Sequence, residues 1–423
     1  MRKWLLIGAA VLVVLLAGAV AAYVLEKRYE ARDIEGSSTE EFVPTEPTET
    51  TPTEEEPGEP REPKEVVWPV YGYTNQRLKA PTLFRQRPPY RPIWTFRARA
   101  LLEFPPVIAY KTAYIANNSG RLFALNVRTG KARWSFRGRR CTASSPAVSR
   151  GVVYQTFMNR PPCNARGGRG LNGEVVAFDA RTGKVRWRRT IGPSESSPAV
   201  AGGLVYIGDW RGNVFALDAR TGRTRWSVRV GGQVKAGVAI AGERLYVGAY
   251  DGRLYAFNAR TGRRFWVASA QDRLGGRGNF YATPSVAYGR VYVGNTDGKV
   301  YSYGATSGKL RWSQSTGSFV YSSPAVWRLR VYAGSHDRHL YCLDAATGRV
   351  RWKFRANGKI SGSPTVINGL VYFSTITGRT YALDARNGER RWTWPDGQYT
   401  AVVADRRRLY VVGYSKLYAM VRR

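Results

Sequence analysis

Hydrophobic and polar positions fall into three regimes along this chain. From Leu5 to Leu25 no side chain is charged, a 21-residue and mostly apolar run. Coiled as a helix it measures about 31 Å, the thickness of a bilayer core. From Gly36 to Glu65 apolar residues nearly vanish among Glu, Thr, Pro and Ser. From Trp94 onward, short stretches alternate apolar and polar residues with period two, as half-buried strands do. A clear unit runs Ser197-Pro198-Ala199-Val200, Gly203 through Gly208, Gly212 through Ala219, Thr221-Gly222 and Trp226. Four strands parted by Gly and Asp turns make one antiparallel sheet.

The unit recurs. Its Trp appears as Trp94, Trp134, Trp187, Trp226, Trp266, Trp312, Trp352 and Trp392, at intervals of 39, 40 or 46 residues and once of 53. The longer interval holds an insertion. Sheets repeating at this period predict an all-β, eight-bladed β-propeller. The last unit, Val402 to Met420, supplies three strands and no Trp, whereas Trp94 has no three strands before it. The Trp94 strand is therefore expected to complete the sheet begun by the C-terminus, removing two exposed edges.

The expected organisation is a cytoplasmic tip and transmembrane signal-anchor over 1–25, an acidic linker over 26–65, a lead-in over 66–93 and the propeller over 94–423. Arg2 and Lys3 before the apolar run favour a cytoplasmic N-terminus and an extracytoplasmic propeller on the cell membrane. A cleaved signal peptide ending at Ala19-Val20-Ala21 is the competing reading, and the length of the run favours the anchor. The linker reads as a solvated, disordered stalk. Alternatively, this polyanion folds back on the basic body as a strap.

Charge sharpens the contrast. Of 66 basic and 30 acidic side chains, 59 and 16 lie in 66–423, a net of +43 for the body. Such a body attracts anionic polymers or acidic protein segments. Arg128, Arg181, Arg220, Arg260 and Arg386 occupy one turn in five units and are expected to form a basic, polyanion-binding rim. A purely compositional origin of the arginines stands beside that reading. Gly-rich phosphate loops followed by Lys-Ser/Thr are missing, and the Arg166-to-Gly170 and Arg273-to-Gly278 stretches read as surface loops, so nucleic acid is not the expected partner.

The units Ser-Pro-Ala-Val, Val-Tyr, Leu-Tyr-Ala-Leu-Asp-Ala, Thr-Gly and Trp resemble pyrroloquinoline-quinone (PQQ)-type propeller repeats. Such repeats occur in quinoprotein alcohol dehydrogenases and in the outer-membrane assembly lipoprotein BamB. Trp68-Pro69-Val70-Tyr71-Gly72 is similar to the lead-in of quinoprotein propellers. The resemblance implies that all eight Trp stack structurally between blades. It also implies that any quinone and calcium sit at the mouth of the central channel.

Three residues before the Pro of each Ser-Pro-x-Val lies the loop entering the innermost strand. These positions are Glu103, Ala143, Glu195, Lys235, Tyr281, Tyr321, Ser361 and Tyr399, a candidate ligand-binding mouth with three phenols. Against quinone catalysis, there is no adjacent Cys pair, only two acids face the six to eight oxygens calcium requires, and Lys235 opposes a cation. No catalytic or metal-ligating set is expected. The leading reading is a monomeric, non-catalytic scaffold of the cell envelope that binds an envelope protein or anionic polymer. The alternatives are a PQQ-dependent oxidoreductase and a polysaccharide or wall-polymer sensor stacking sugars on its tyrosines. Cys141 and Cys163, in loops of an exported domain, are expected to pair. Cys342 is expected buried and inert, and His336 with His339 to occupy a surface turn.

Overall fold

A computed structural model describes residues 2–29, 32–47, 66–163, 171–272, 276–400 and 402–423, with the N-terminal helix showing its side chains at Gly8 and over 11–25. Eight antiparallel sheets surround a central channel. Seven blades are continuous in sequence, over 107–137, 147–191, 199–229, 239–269, 285–315, 325–355 and 365–394. In the eighth, Tyr90–Arg97 pairs antiparallel with Lys416–Arg422, with Trp94 opposite Ala419. The ring is thus shut by joining its two ends.

Six of the eight blade Trp grip the next blade by a hydrogen bond from the indole. The indole Nε1 of Trp226 donates to Ala259 O at 2.9 Å, that of Trp312 to Ala345 O at 2.9 Å, and that of Trp94 to Val127 O at 3.0 Å. The Gly of the following blade's Thr-Gly turn lies flat on the ring. At Gly222, with φ +73°, a Cβ would meet Trp187 at 2.6 Å. Left-handed geometry and contact both require glycine there.

Innermost strands begin on one face, here the mouth face. The hairpins between first and second strands, and the Thr-Gly turns, therefore lie on the opposite, far face. The lead-in does more than precede the ring. Val66–Trp68 pairs with the inner strand Val107–Ala109, and the segment then passes around the hub. Backbone amides of Val148, Ile240, Val286, Val326 and Val366 donate to carbonyls of Pro69, Asn75, Gln76, Leu78 and Lys79 at 2.8–3.0 Å. Arg77 and Lys79 are buried in this plug. Arg77 Nε donates to Val238 O at 2.8 Å, and Lys79 Nζ to Pro324 O at 3.0 Å.

Two features of the N-terminal part differ in kind. Among the described residues no helix is long and apolar enough to cross a membrane; the helix Arg2–Tyr29 exposes apolar side chains from Val11 to Leu25. The linker is no solvated stalk over 32–47. It lies along the outer strand of the fifth blade, where Ile34 bridges Ser313 antiparallel and the Val43 amide donates to Tyr288 O at 3.1 Å. Asp33 pairs with Lys299 at 2.9 Å. The stalk expected over 48–65 lies outside the described residues.

Candidate functional site

The inner strands enter from the mouth face through loops that carry one residue each toward the axis. Seven of the eight positions singled out from the sequence, Glu103, Glu195, Lys235, Tyr281, Tyr321, Ser361 and Tyr399, line a single cavity of about 310 Å³. Ala143 instead packs into a small cluster with Cys141 and Met158. The Ser of each Ser-Pro links neighbouring blades below this ring. Thr283 N donates to Ser323 Oγ, and Ser323 N to Ser363 Oγ, both at 2.9 Å. Tyr71 of the plug forms the floor, its hydroxyl 2.6 Å from Ser363 Oγ.

Polar groups in the cavity neutralise one another. Lys235 Nζ lies 3.3 Å from Glu195 Oε1 and over the Trp210 ring, 4.4 Å from its centroid. The Tyr281 hydroxyl donates toward Glu195 Oε2 at 3.5 Å. Burial, with Glu195 adding to it against Lys235, pushes the Glu103 carboxyl up to about 7. Burial also raises Glu195, opposed by Lys235 and Tyr281. In the plug behind Tyr71, burial lowers Arg77 to about 10 and takes Lys79 well below its ordinary value. A near-neutral, aromatic cup therefore sits within a strongly basic body.

The turns between second and third strands add residues that the repeat position does not show. Tyr250 and His336 complete the wall. His336, expected in a surface turn, instead places Nε2 2.7 Å from Ser361 Oγ and packs on Tyr321 at 4.8 Å. The loop carrying it is fixed by Asp337, which accepts from the Gly317 amide at 2.8 Å. His339 pairs with Asp337 at 3.4 Å.

A calcium–quinone pair does not fit these donors. The two carboxylates are few for a six- to eight-coordinate cation, and the Lys235 ammonium already occupies the space beside Glu195. Among the described residues no group of three or more His, Cys, Asp or Glu side chains is placed to hold a metal. Cys141 and Cys163 are bonded to each other with Cα atoms 5.5 Å apart. Cys342 is buried and its thiol raised to about 12 by burial.

On the far face, Arg128, Arg181, Arg220, Arg260 and Arg386 are all exposed. Their backbone amides donate to the Asn or Asp that opens the turn, as Arg220 N does to Asp218 Oδ1 at 3.1 Å. The guanidinium groups that pair with the turn aspartates are others, Arg186 and Arg225. Of the Arg-Gly loops, residues 166–170 lie outside the described residues, and Arg277 pairs with Asp272 at 2.7 Å.

The family described as "Outer membrane protein assembly factor BamB" matches residues 89–160, 171–335, 275–357 and 322–422. A curated relative, outer membrane protein assembly factor BamB of Yersinia pestis, is 27% identical over 118 residues. That stretch spans 25% of this chain and 26% of the relative, about a quarter of its length. Among solved structures, BamB from Moraxella catarrhalis superposes with a TM-score of 0.64 at 18% identity, over 79% of this chain and all of that one. A europium-containing methanol dehydrogenase gives 0.69 at 12% identity, over 84% of this chain and 98% of that one. Quinohemoprotein alcohol dehydrogenase from Comamonas testosteroni gives 0.68 at 14%, over 84% and 80%. At these identities the superpositions speak for the fold alone.

Proposed function

This chain belongs to the family described as outer membrane protein assembly factor BamB, and from that premise we propose that it is a non-catalytic, protein-binding scaffold of the cell envelope. The observation that carries the proposal is the donor set at the mouth. A quinoprotein enzyme concentrates its cofactor ligands there, whereas here an internal Lys235–Glu195 pair, a Glu103 carboxyl raised by burial to about 7 and a ring of tyrosines leave the cup without a place for the cation. Further support comes from the rim. Phe319 and Tyr414, 48% and 57% exposed, both occupy mouth-face loops, and aromatic side chains are enriched where proteins dock.

The N-terminal helix is the tether in this reading. Its exposed apolar surface runs all round from Val11 to Leu25, a pattern that asks for lipid or another apolar partner. In this reading it holds the propeller at the outer side of the cytoplasmic membrane.

The test places a photo-crosslinking residue at 319, 414 or, as a far-face control, 220 in the full chain expressed in cells. Discrete crosslinks to envelope proteins from 319 and 414, weak from 220, are expected. Stoichiometric binding of PQQ with calcium and dye-linked alcohol oxidation by the purified chain would overturn the reading in favour of an oxidoreductase. Saturable binding of a wall polysaccharide, lost on Tyr281→Ala or Tyr399→Ala, would overturn it in favour of a sugar sensor.

A further inference from the structure

In the Thr-Gly turns a carboxylate or amide opens the turn and caps it. Asp218 Oδ1 accepts from the Thr221 amide and the Thr221 hydroxyl, both at 2.9 Å, while Oδ2 receives Arg225 at 2.7 Å. Asp179 with Thr182 and Arg186, and Asp344 with Thr347 and Arg351, repeat the arrangement. Asn126, Asn258 and Asp384 open the same turn in the first, fourth and seventh blades. The fifth blade departs from this. By register its turn opens with Gly304, followed by Ser307 and Arg311, so the receiving groups are kept and the carboxylate is missing.

Glu41 of the linker stands in that place. Its Oε1 accepts from the Ser307 amide at 3.0 Å, and its Oε2 from the Ser307 hydroxyl at 2.6 Å and from Arg311 Nη2 at 2.6 Å. Any Cβ at position 304 would overlap Glu41 Oε2. Burial works against the charge, yet Ser307 and Arg311 hold the Glu41 carboxyl below its ordinary value. The neighbouring surface is shaped for the same segment. Arg290, fully buried, donates to the carbonyls of Ser37, Glu40 and Glu41. The outer strand carries Ser315 where the other blades often carry Arg, and Asp33 accepts from its amide and hydroxyl. Gly36 passes so close to Trp312 that a Cβ would sit 2.8 Å from the ring, and Trp312 is 0% exposed whereas most of its seven counterparts are half-buried.

We propose that the fifth blade is a dedicated receptor for an extended acidic segment, with Gly304, Ser307, Arg311 and Arg290 as its binding site, and that its ligand is this chain's own linker, residues 33–46, with Glu41 as the anchoring carboxylate. The linker then acts as a latch on the blade's outer edge rather than as a spacer, independently of what the mouth binds. Binding is through charge-assisted hydrogen bonds to a carboxylate held in a turn, the same chemistry the sister blades satisfy internally.

The test is hydrogen exchange on the full chain at the amides of Ile34, Gly36 and Val43, which donate to blade carbonyls. Wild type is expected to exchange there at least about tenfold more slowly than an unstructured peptide of the same sequence. Gly304→Asp supplies the cap internally and evicts Glu41. It is expected to abolish that protection while the propeller amides stay protected and the thermal midpoint holds. Glu41→Gln keeps the shape, removes the charge and is expected to lower protection at the same amides, whereas Glu35→Gln, on an exposed pair with Arg349, is expected to leave it. Unprotected amides in wild type, or protection that persists in both Gly304→Asp and Glu41→Gln, would overturn the proposal.

Discussion

Lys235 Nζ stands 3.3 Å from Glu195 Oε1, and this one ammonium lets two buried carboxyls share the channel mouth. Glu103 carries the consequence. Its carboxyl, pushed from 4.5 up to about 7, keeps its proton in the folded chain at pH values where the unfolded chain has lost it. The stability it contributes is full below about pH 4.5 and is lost as pH rises through 7, a total of roughly 3 kcal/mol. Glu103→Gln should therefore flatten stability between pH 5 and 8 and leave the protein more stable than wild type at pH 8. Urea midpoints across that range check it.

Arg77 is a second buried charge with a structural task. Its guanidinium holds Val238 O, Pro198 O and Tyr71 O together in the plug. Arg77→Met should cost about 3 kcal/mol, because it strands buried carbonyls that no water reaches. Equilibrium denaturation measures the loss, and a single transition is expected.

Trp94 tests ring closure. It pairs the chain's two ends and donates to the first blade. Trp94→Ala is expected to lower global stability by about 3 kcal/mol, and deletion of 90–97 to remove the cooperative transition. A separate, low-temperature melt of the eighth blade alone would contradict this.

Cys141 and Cys163 close a loop of 22 residues in sequence separation. Their double replacement by Ser should cost about 3 kcal/mol of chain entropy. Native alkylation should label none of the three cysteines, because Cys342 is fully buried. After reduction without unfolding, only Cys163 should react readily, because Cys141 is as buried as Cys342.

The far-face arginines predict a salt response. Binding to a polyanion such as heparin should weaken at least tenfold between about 50 and 300 mM salt. Replacing Arg128, Arg181, Arg220, Arg260 and Arg386 together by Gln should reduce it comparably at fixed salt. Binding indifferent to both would show that the crown is compositional.

The eight blades were legible because Trp94 to Trp392 mark the same strand in each unit, and a period-two pattern leaves little choice of fold. Glu103 to Tyr399 were legible as one layer because Ser-Pro-x-Val fixes where each inner strand starts. Tyr250 and His336 escaped because they reach the cup from a different turn, the one between second and third strands, which a count back from Ser-Pro-x-Val does not reach. The plug escaped for another reason. Pro69 to Lys79 meet five inner strands through backbone carbonyls, which leave no trace in side-chain identity, and the side-chain bonds of Arg77 and Lys79 add to them outside any repeat. Glu41 had a trace, the Gly304 that breaks a run of Asp and Asn, but reading it required knowing what the missing carboxylate held.

The plug also sets an order of events. Asn75 meets Ile240, Gln76 meets Val286, Leu78 meets Val326 and Lys79 meets Val366, so residues synthesised among the first must await partners made up to about 290 positions later. Pairing over such sequence distances slows folding. The hub segment seats fully only as the last blades arrive, and until then the inner strands of the blades it pairs with present unpaired amides. A nascent chain is therefore an open arc with a sticky inner edge, and its folding yield depends on how fast the C-terminal blade follows the N-terminal one.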